Sequence, residues 1–266
     1  MLKKYTCLFA AVLIMSPMLM AQTLEEVVVT AQIREQSLQD VPISISAISG
    51  EDIADRSVDN LQSLSASVPN FMVVETQIDT SISIRGVRSG ANKGFEQSVP
   101  MNFDGISYPR SQLARTPLVD LERVEVLRGP QPTLFGKNAI GGVVNVTSAK
   151  PTEEFEGKFS TSHESEHGED QSLLVLSGAL SESVLGRLTV STREMDGWIT
   201  NTNMKRLEPQ RDETYIRGQL AWTSGDVDYN LKVETADFDS TGYAMEAIAP
   251  QDGYGLVFRG PIAVET

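Results

Sequence analysis

Three stretches of the chain alternate apolar and polar residues with a period of two. Val184, Gly186, Leu188 and Val190 alternate with Leu185, Arg187, Thr189 and Ser191. Ile216, Gly218, Leu220 and Trp222 alternate with Arg217, Gln219 and Ala221, and Val227, Tyr229, Leu231 and Val233 with Asp228, Asn230, Lys232 and Glu234. Successive side chains of a strand point to opposite faces, so this period specifies strands with one apolar and one polar side. Segments of roughly ten residues separated by polar breaks are the pattern of a transmembrane β-barrel. A soluble antiparallel sheet with one wet face alternates in the same way. The period alone leaves both open.

The N-terminus tilts the choice toward the barrel. Lys3 and Lys4 precede an apolar run from Cys7 to Ile14, a turn-prone Ser16-Pro17 and a small-residue end at Ala21. This is the order of a secretory signal peptide over residues 1–21, with Gln22 as the new terminus. The apolar run is too short to anchor a helix in a bilayer, and no later stretch is long enough either. Cys7 is the one cysteine. It leaves with the signal, so the exported chain has no thiol, disulfide or cysteine-bound metal. The formal charge of −14 becomes −16 once Lys3 and Lys4 are removed. Such an acidic balance argues against nucleic acid as a partner, because phosphate contacts need an excess of Lys and Arg.

Between the signal and residue 150 the pattern is mixed. Leu24–Gln32 holds the β-forming run Val27-Val28-Val29-Thr30, without helical periodicity and without a nearby turn partner. It reads as an edge strand or as a strand held out for another protein to pair with. A polar linker follows to residue 40. Pro42–Ser46 alternates as a strand, Ser49 with Asp52 marks a capped helix start, and Ser57 opens a second candidate helix ending near Pro69. Strands are expected at Phe71–Glu75 and Ser81–Arg85, a turn at Asp104-Gly105, a short helix near Val119–Glu122 and a strand at Val124–Leu127. Residues 41–150 thus read as one small α/β domain, within the usual size for a single core.

Motifs that could carry catalysis do not complete. His163-Glu164-Ser165-Glu166-His167 matches H-E-x-x-H, but its polar, strand-like flanks and Gly168 suit a solvated hairpin tip instead of a buried zinc helix. A phosphate loop at Gly136-Lys137 would need Gly at 131 and Ser or Thr at 138, where the chain has Gln131 and Asn138. Asp237, Asp239, Thr241 and Gly242 follow calcium-loop spacing, yet position 248 holds Ile248, so an acidic loop is expected there. Both histidines lie on one polar segment, which leaves no Ser-His-Asp set. No enzyme, metal site or cofactor is expected.

What remains is a corner of unusual turn chemistry. Arg128-Gly129-Pro130 ends one strand abruptly, Gly136 follows, and Gly141-Gly142 restart the chain into Val143–Val146. Arg85-Gly86 repeats the strand-ending pattern. Two arginines so released are placed to reach carboxylates on another element, or are simply exposed.

Taken in order, these residues resemble the N-terminal part of a TonB-dependent outer-membrane receptor. The resemblance rests on Glu25-Glu26-Val27-Val28-Val29-Thr30-Ala31, Val41–Ile45, Ile84-Arg85-Gly86, Asp104-Gly105 and Leu121–Pro130. Leu134-Phe135-Gly136 and Ala139–Asn145 complete it. One departure is Pro132, where the family usually has a small residue. The resemblance implies an α+β plug domain followed by the start of an antiparallel transmembrane β-barrel. The segments are a signal peptide (1–21), a TonB-box segment and linker (22–40), the plug (41–150) and first barrel strands (151–266). It further implies that Glu25–Ala31 binds the TonB complex of the inner membrane and that Arg85 and Arg128 meet glutamates on the barrel wall. Gly86, Gly129, Pro130, Gly136, Gly141 and Gly142 would shape plug turns. A ferric siderophore or similar chelate would be the ligand, in the outer membrane of a Gram-negative bacterium. Residues 151–266 number 116, whereas the family's 22 strands of about ten residues need about 220. The reading is therefore a truncated chain with five or six strands. A soluble periplasmic module retaining only the plug is the alternative, and membrane fractionation separates the two.

Overall fold

The computed structural model describes residues 28–29, 36–37, 43–75, 80–89, 96–108, 110, 114–166, 168–201, 204–242, 246–248 and 257–259. The signal-like segment 1–21, residues 25–27, 30–31 and His167 lie outside the described residues. A two-residue ladder pairs β1 (Val28–Val29) with β2 (Gln36–Ser37). The Val-rich segment therefore has a nearby pairing partner, contrary to the sequence reading.

The strands of the small domain are β3 (Ser44–Ser49), β4 (Phe71–Glu75), β5 (Thr80–Ile84), β6 (Val87–Arg88), β7 (Met101–Phe103), β8 (Ile106–Tyr108), β9 (Leu121–Arg128) and β10 (Gly142–Ser148). Five of them form a sheet in the order β3-β9-β10-β7-β8, and β4-β5-β6 form a second. All pairings are antiparallel except β10 with β7. Valines at alternate positions of β9 and β10 (Val124, Val126, Val144, Val146) point to one face with no exposed surface. They pack with Ile53, Leu61, Leu64, Phe71, Ile84 and Phe103 into one core between the sheets and the helices. Ser49 caps the helix Gly50–Asp55 by accepting from the Asp52 amide, as its spacing predicts.

Beyond Lys150 come β11 (Glu156–Glu164), β12 (Glu169–Ser181), β13 (Val184–Met195), β14 (Ile199–Asn201), β15 (Arg206–Glu208), β16 (Gln210–Ser224), β17 (Val227–Thr241), β18 (Glu246–Ile248) and β19 (Val257–Arg259). The long ones make an antiparallel wall in the order β11-β12-β13-β16-β17. Its hairpins close by two residues at one end (182–183 and 225–226) and by longer segments at the other (165–168 and 196–209). Cross-strand register lines up the two phases of the sequence alternation. One face carries Arg187, Thr189, Arg217 and Lys232. The other carries Leu174, Leu176, Leu188, Val190, Ile216, Leu220, Leu231 and Val233. Trp222 and Tyr229 pair across β16 and β17 on that apolar face and stack with centroids 5.2 Å apart. One row beyond Ile216 the same face turns polar, with Ser172, Thr192, Thr214 and Asp237 aligned.

Three expectations are corrected. The second helix is Leu61–Ser65 and starts from Asn60, whose side chain and that of Ser63 form a reciprocal capping box. Ser57 instead takes a positive φ of 52°. No helix forms near Val119–Glu122, because Asp120 adopts φ 53° and Leu121 begins β9 directly. Asp237 and Asp239 are not loop residues but the upper part of β17, paired with Thr214 and Asp212. The Asp104-Gly105 turn joins β7 to β8 with φ of 49° and 80°, as its composition predicts.

Candidate functional site

The domain meets the polar face of the wall through three aspartates: Asp120 at a bend, Asp104 in a turn and Asp59 just before the N-cap of a helix. Asp120 sits where the chain reverses into β9, and its positive φ is held by a backbone bond from the Ala149 amide (3.1 Å). Its carboxylate receives Arg187 Nε at 2.9 Å, Arg217 Nη2 at 3.0 Å and the Thr189 hydroxyl. Arg217 Nη2 also donates to the Asp120 carbonyl, and Arg187 Nη1 to the carbonyl of Lys150 at 3.2 Å. Arg217 has no exposed surface and Asp120 only 5%. Burial pushes the Asp120 carboxyl up. Hydrogen bonds from Arg187 and Thr189, with the charges of both arginines, outweigh that and hold it below the usual carboxylate range.

Asp104 forms the second contact. Ser148 gives it an amide bond at 2.8 Å and a hydroxyl bond at 2.7 Å, which fixes the turn against the end of β10. Lys232 reaches from the wall to Asp104 Oδ2 at 2.6 Å and lies 4.5 Å from the centre of the Phe103 ring. Gln219 adds a bond to Ser148 Oγ at 3.2 Å. Here too burial raises the carboxyl, and Lys232 with Ser148 brings it below its ordinary value.

Asp59 is the third. It takes Gln171 Nε2 and Arg193 Nη2, both at 3.0 Å, while Ser63 holds its other oxygen at 2.9 Å. Arg193 is shared with Glu169, which it grips through two nitrogens at 2.9–3.0 Å. All three contacts have one polarity: carboxylates on the domain, cations on the wall.

The residues expected to bridge domain and wall are Arg85 and Arg128; among the described strands of the wall, no ion pair joins either of them to a carboxylate. Arg85 is exposed with φ 52°. Arg128 is half-buried and turned inward, donating to the carbonyls of Pro69 (3.3 Å) and Ile45 (3.4 Å), while its Nε is buried without an acceptor. Sequence reasoning thus missed Asp59, Asp104 and Asp120 as anchors. The signal was present in the polar phase of the strand alternation, where Arg187, Arg217 and Lys232 recur at positions facing one way.

The glycine corner lies as its composition requires. Gly86, Gly129 and Gly136 have φ of 81°, 113° and 85°. A Cβ on Gly142 would stand 2.2 Å from the Leu127 carbonyl oxygen, and one on Gly141 would be 3.0–3.1 Å from Val99 and Val87. Pro130 follows Gly129 on the exposed surface. Pro132 opens the short helix Pro132–Phe135, where a missing amide costs nothing.

His163 is on β11 and pairs with Asp170 on β12 at 2.8 Å, exposed. Among the described residues, no group of three or more His, Cys, Asp or Glu side chains is placed to hold a metal ion. No helix among them is long and apolar enough to cross a membrane, which says nothing of strands.

Residues 37–143 match the family model of the TonB-dependent Receptor Plug Domain. An iron-regulated outer membrane virulence protein of Vibrio cholerae is 36% identical over 185 residues, covering 63% of this chain and 28% of that protein. The pesticin receptor of Yersinia enterocolitica is 29% identical over 162 residues, covering 60% and 24%. The fold matches the ferric yersiniabactin uptake receptor of Yersinia pestis with a TM-score of 0.65 at 23% identity, covering 73% of this chain and 31% of that one. For the pyoverdine outer membrane receptor of Pseudomonas aeruginosa the values are 0.69, 20%, 84% and 32%. The chain thus spans under a third of the length of these relatives.

Proposed function

We propose, from the premise that this chain carries the plug domain and wall strands of a TonB-dependent outer membrane receptor, that it serves energised uptake of a scarce ligand. A ferric siderophore or related iron chelate is the class to test first, as the relatives are named for iron regulation, ferric yersiniabactin and pyoverdine. The observation that carries the reading is the Asp120 contact, which seats the plug on the polar face of a wall whose other face is apolar. That arrangement suits a barrel in the outer membrane, with lipid outside and the plug within.

Energy would come from the TonB complex of the inner membrane, acting on Glu25–Ala31. The β1 strand (Val28–Val29) supports this, because an extended backbone can exchange one ladder partner for another. Arg85 and Arg128 would contact carboxylates on further wall strands. The exposure of Arg85 supports that assignment for Arg85.

The test is Val28→Pro, which removes an amide and distorts the strand. In iron-limited cells carrying the full receptor, uptake of labelled ferric siderophore should fall to background while binding to the cells persists. Uptake equal to that of the unaltered receptor would reject the TonB-box assignment. No binding of any iron chelate would reject the ligand class.

A further inference from the structure

The plug–wall contacts lie at two heights and share their charges differently. Arg187, Gln219 and Lys232 occupy one row of the wall, and Thr189, Arg217 and Glu234 the next. Asp104 and Asp120 are both held there. Gln171, Arg193 and Glu213 form a row six residues along β13 from Arg187, about 20 Å nearer the end with long connections. At this upper row Arg193 Nη2 lies 3.0 Å from Asp59 and 2.9 Å from Glu169, so one nitrogen serves both. Nε gives Glu169 a second bond at 3.0 Å, and Nη1 stands 4.0 Å from Glu213. Two wall carboxylates therefore compete with the plug for the cation that holds it.

Parting the surfaces has different consequences at the two heights. Below, the cations Arg187, Arg217 and Lys232 outnumber their wall partners Glu156 and Glu234, while Asp104 and Asp120 leave with the plug. Opposite charges are pulled apart, one of them on the fully buried Arg217. Above, Arg193 keeps both bonds to Glu169, and Asp59 keeps the Ser63 hydroxyl at 2.9 Å. No charge is stranded. Asp59, Arg193 and Glu213 also line two small cavities of about 10 and 20 Å³, space on the scale of single water molecules. Arg115 of the plug and Arg211 of the wall line the smaller one, which leaves each parted surface near neutral. Water can then take over the bonds that open.

One core joins Leu61 and Leu64, next to Asp59, with Val124 and Val144 of the central strands, so the plug moves as a body. We infer that this body is hinged on the wall. The Asp104 and Asp120 contacts form the axis. Asp59 with Arg193 is a clasp that opens first, its release assisted by Glu169 and Glu213. Long connections mark the extracellular side of such a wall, so the gap opens along β12, β13 and β16 where a ligand arrives. This rests on the reading of the chain as a plugged receptor.

The test uses the full receptor in vesicles, with nitroxide labels on pairs of introduced cysteines and distances read by pulsed electron resonance. Ala66→Cys with Glu166→Cys spans the clasp, and Ile106→Cys with Asp226→Cys spans the axis; all four positions are exposed. The upper pair should show a second, longer distance, and the lower pair one narrow distance. Asp59→Asn should raise the longer population several-fold. Glu169→Gln with Glu213→Gln should lower it several-fold, since the competition for Arg193 is then removed. Carboxylates that merely brace the contact would raise it instead. Should the double variant fail to insert, raising salt from about 0.05 M to about 0.5 M should populate the longer distance at the upper pair only. Loosening by the wall variant, an upper distance that Asp59→Asn leaves unmoved, or equal change at both pairs overturns the hinge. None of these distances depends on uptake, so absent transport with the hinge intact would count against the transport reading alone.

Discussion

Asp120 Oδ2 accepts from Arg217 Nη2 at 3.0 Å across 97 residues of chain, and neither side chain is more than 5% exposed. A buried pair of this kind is a poor source of net stability but a costly one to break, since the remaining charge has no water. Here the arginine belongs to the wall and the aspartate to the plug. The cost of separating them is therefore a cost of moving the plug.

Asp120→Asn should loosen the plug more than any other single charge change at this interface. It strands Arg217 and weakens the Arg187 contact together, at about 3–5 kcal/mol. Hydrogen exchange of the plug amides should rise while those of the wall strands stay protected. Equal protection in the variant would mean that the contact does not hold the plug.

Acid should act through the same group. Asp120 and Asp104 have carboxyl values below the ordinary one, which is about 3.9 in an unfolded chain. The stability they contribute is present above that value and is lost as pH falls through their lower folded values. Docking should therefore be flat from neutrality to about pH 4 as far as these groups are concerned, and weaken below. Plug exchange followed from pH 6 to pH 2 checks this, and the acid-induced part should be smaller in Asp120→Asn.

Lys232→Met should matter less. The Lys232 side chain is 20% exposed, Asp104 keeps both bonds from Ser148, and a pair in such a place is worth about 0.5–1 kcal/mol. Its loss should be visible in melting curves at low salt and shrink at high salt. A shift as large as that of Asp120→Asn would contradict this ranking.

Two glycines separate strain from crowding. Gly86→Ala adds a Cβ into open space at φ 81°, for about 1–2 kcal/mol of backbone strain. Gly142→Ala drives the same atom to 2.2 Å from the Leu127 carbonyl and 2.7 Å from Ile84 Cδ1, so about 3 kcal/mol or more is expected. Denaturant midpoints of the two variants should keep that order.

Local chemistry was legible in the sequence. The strand phases, the Ser49 cap and the Asp104-Gly105 turn each depend on neighbours a few residues away. Val119–Glu122 read as helix because nothing nearby forbids it, and the contacts that hold the bend come from Ala149, Arg187, Thr189 and Arg217, all distant in sequence. The acidic end of β17 was mistaken for a loop since composition does not show that Asp237 and Asp239 continue a ladder past the apolar band. Arginines at strand ends drew attention to Arg85 and Arg128, while the anchors to the described wall strands are the aspartates Asp59, Asp104 and Asp120. Their partners are named only by the register of strands not yet paired.

Each plug anchor also joins distant parts of the chain: 67 residues for Asp120 with Arg187, 112 for Asp59 with Gln171, 128 for Asp104 with Lys232. The wall strands, by contrast, mostly meet their sequence neighbours across short hairpins. Contacts of high separation close slowly, because the intervening chain must lose its freedom first. Seating of the plug should then be a late event in assembly, with the wall forming the mould. Until it is seated, three aspartates and four cationic wall residues stay exposed as a lock without its key.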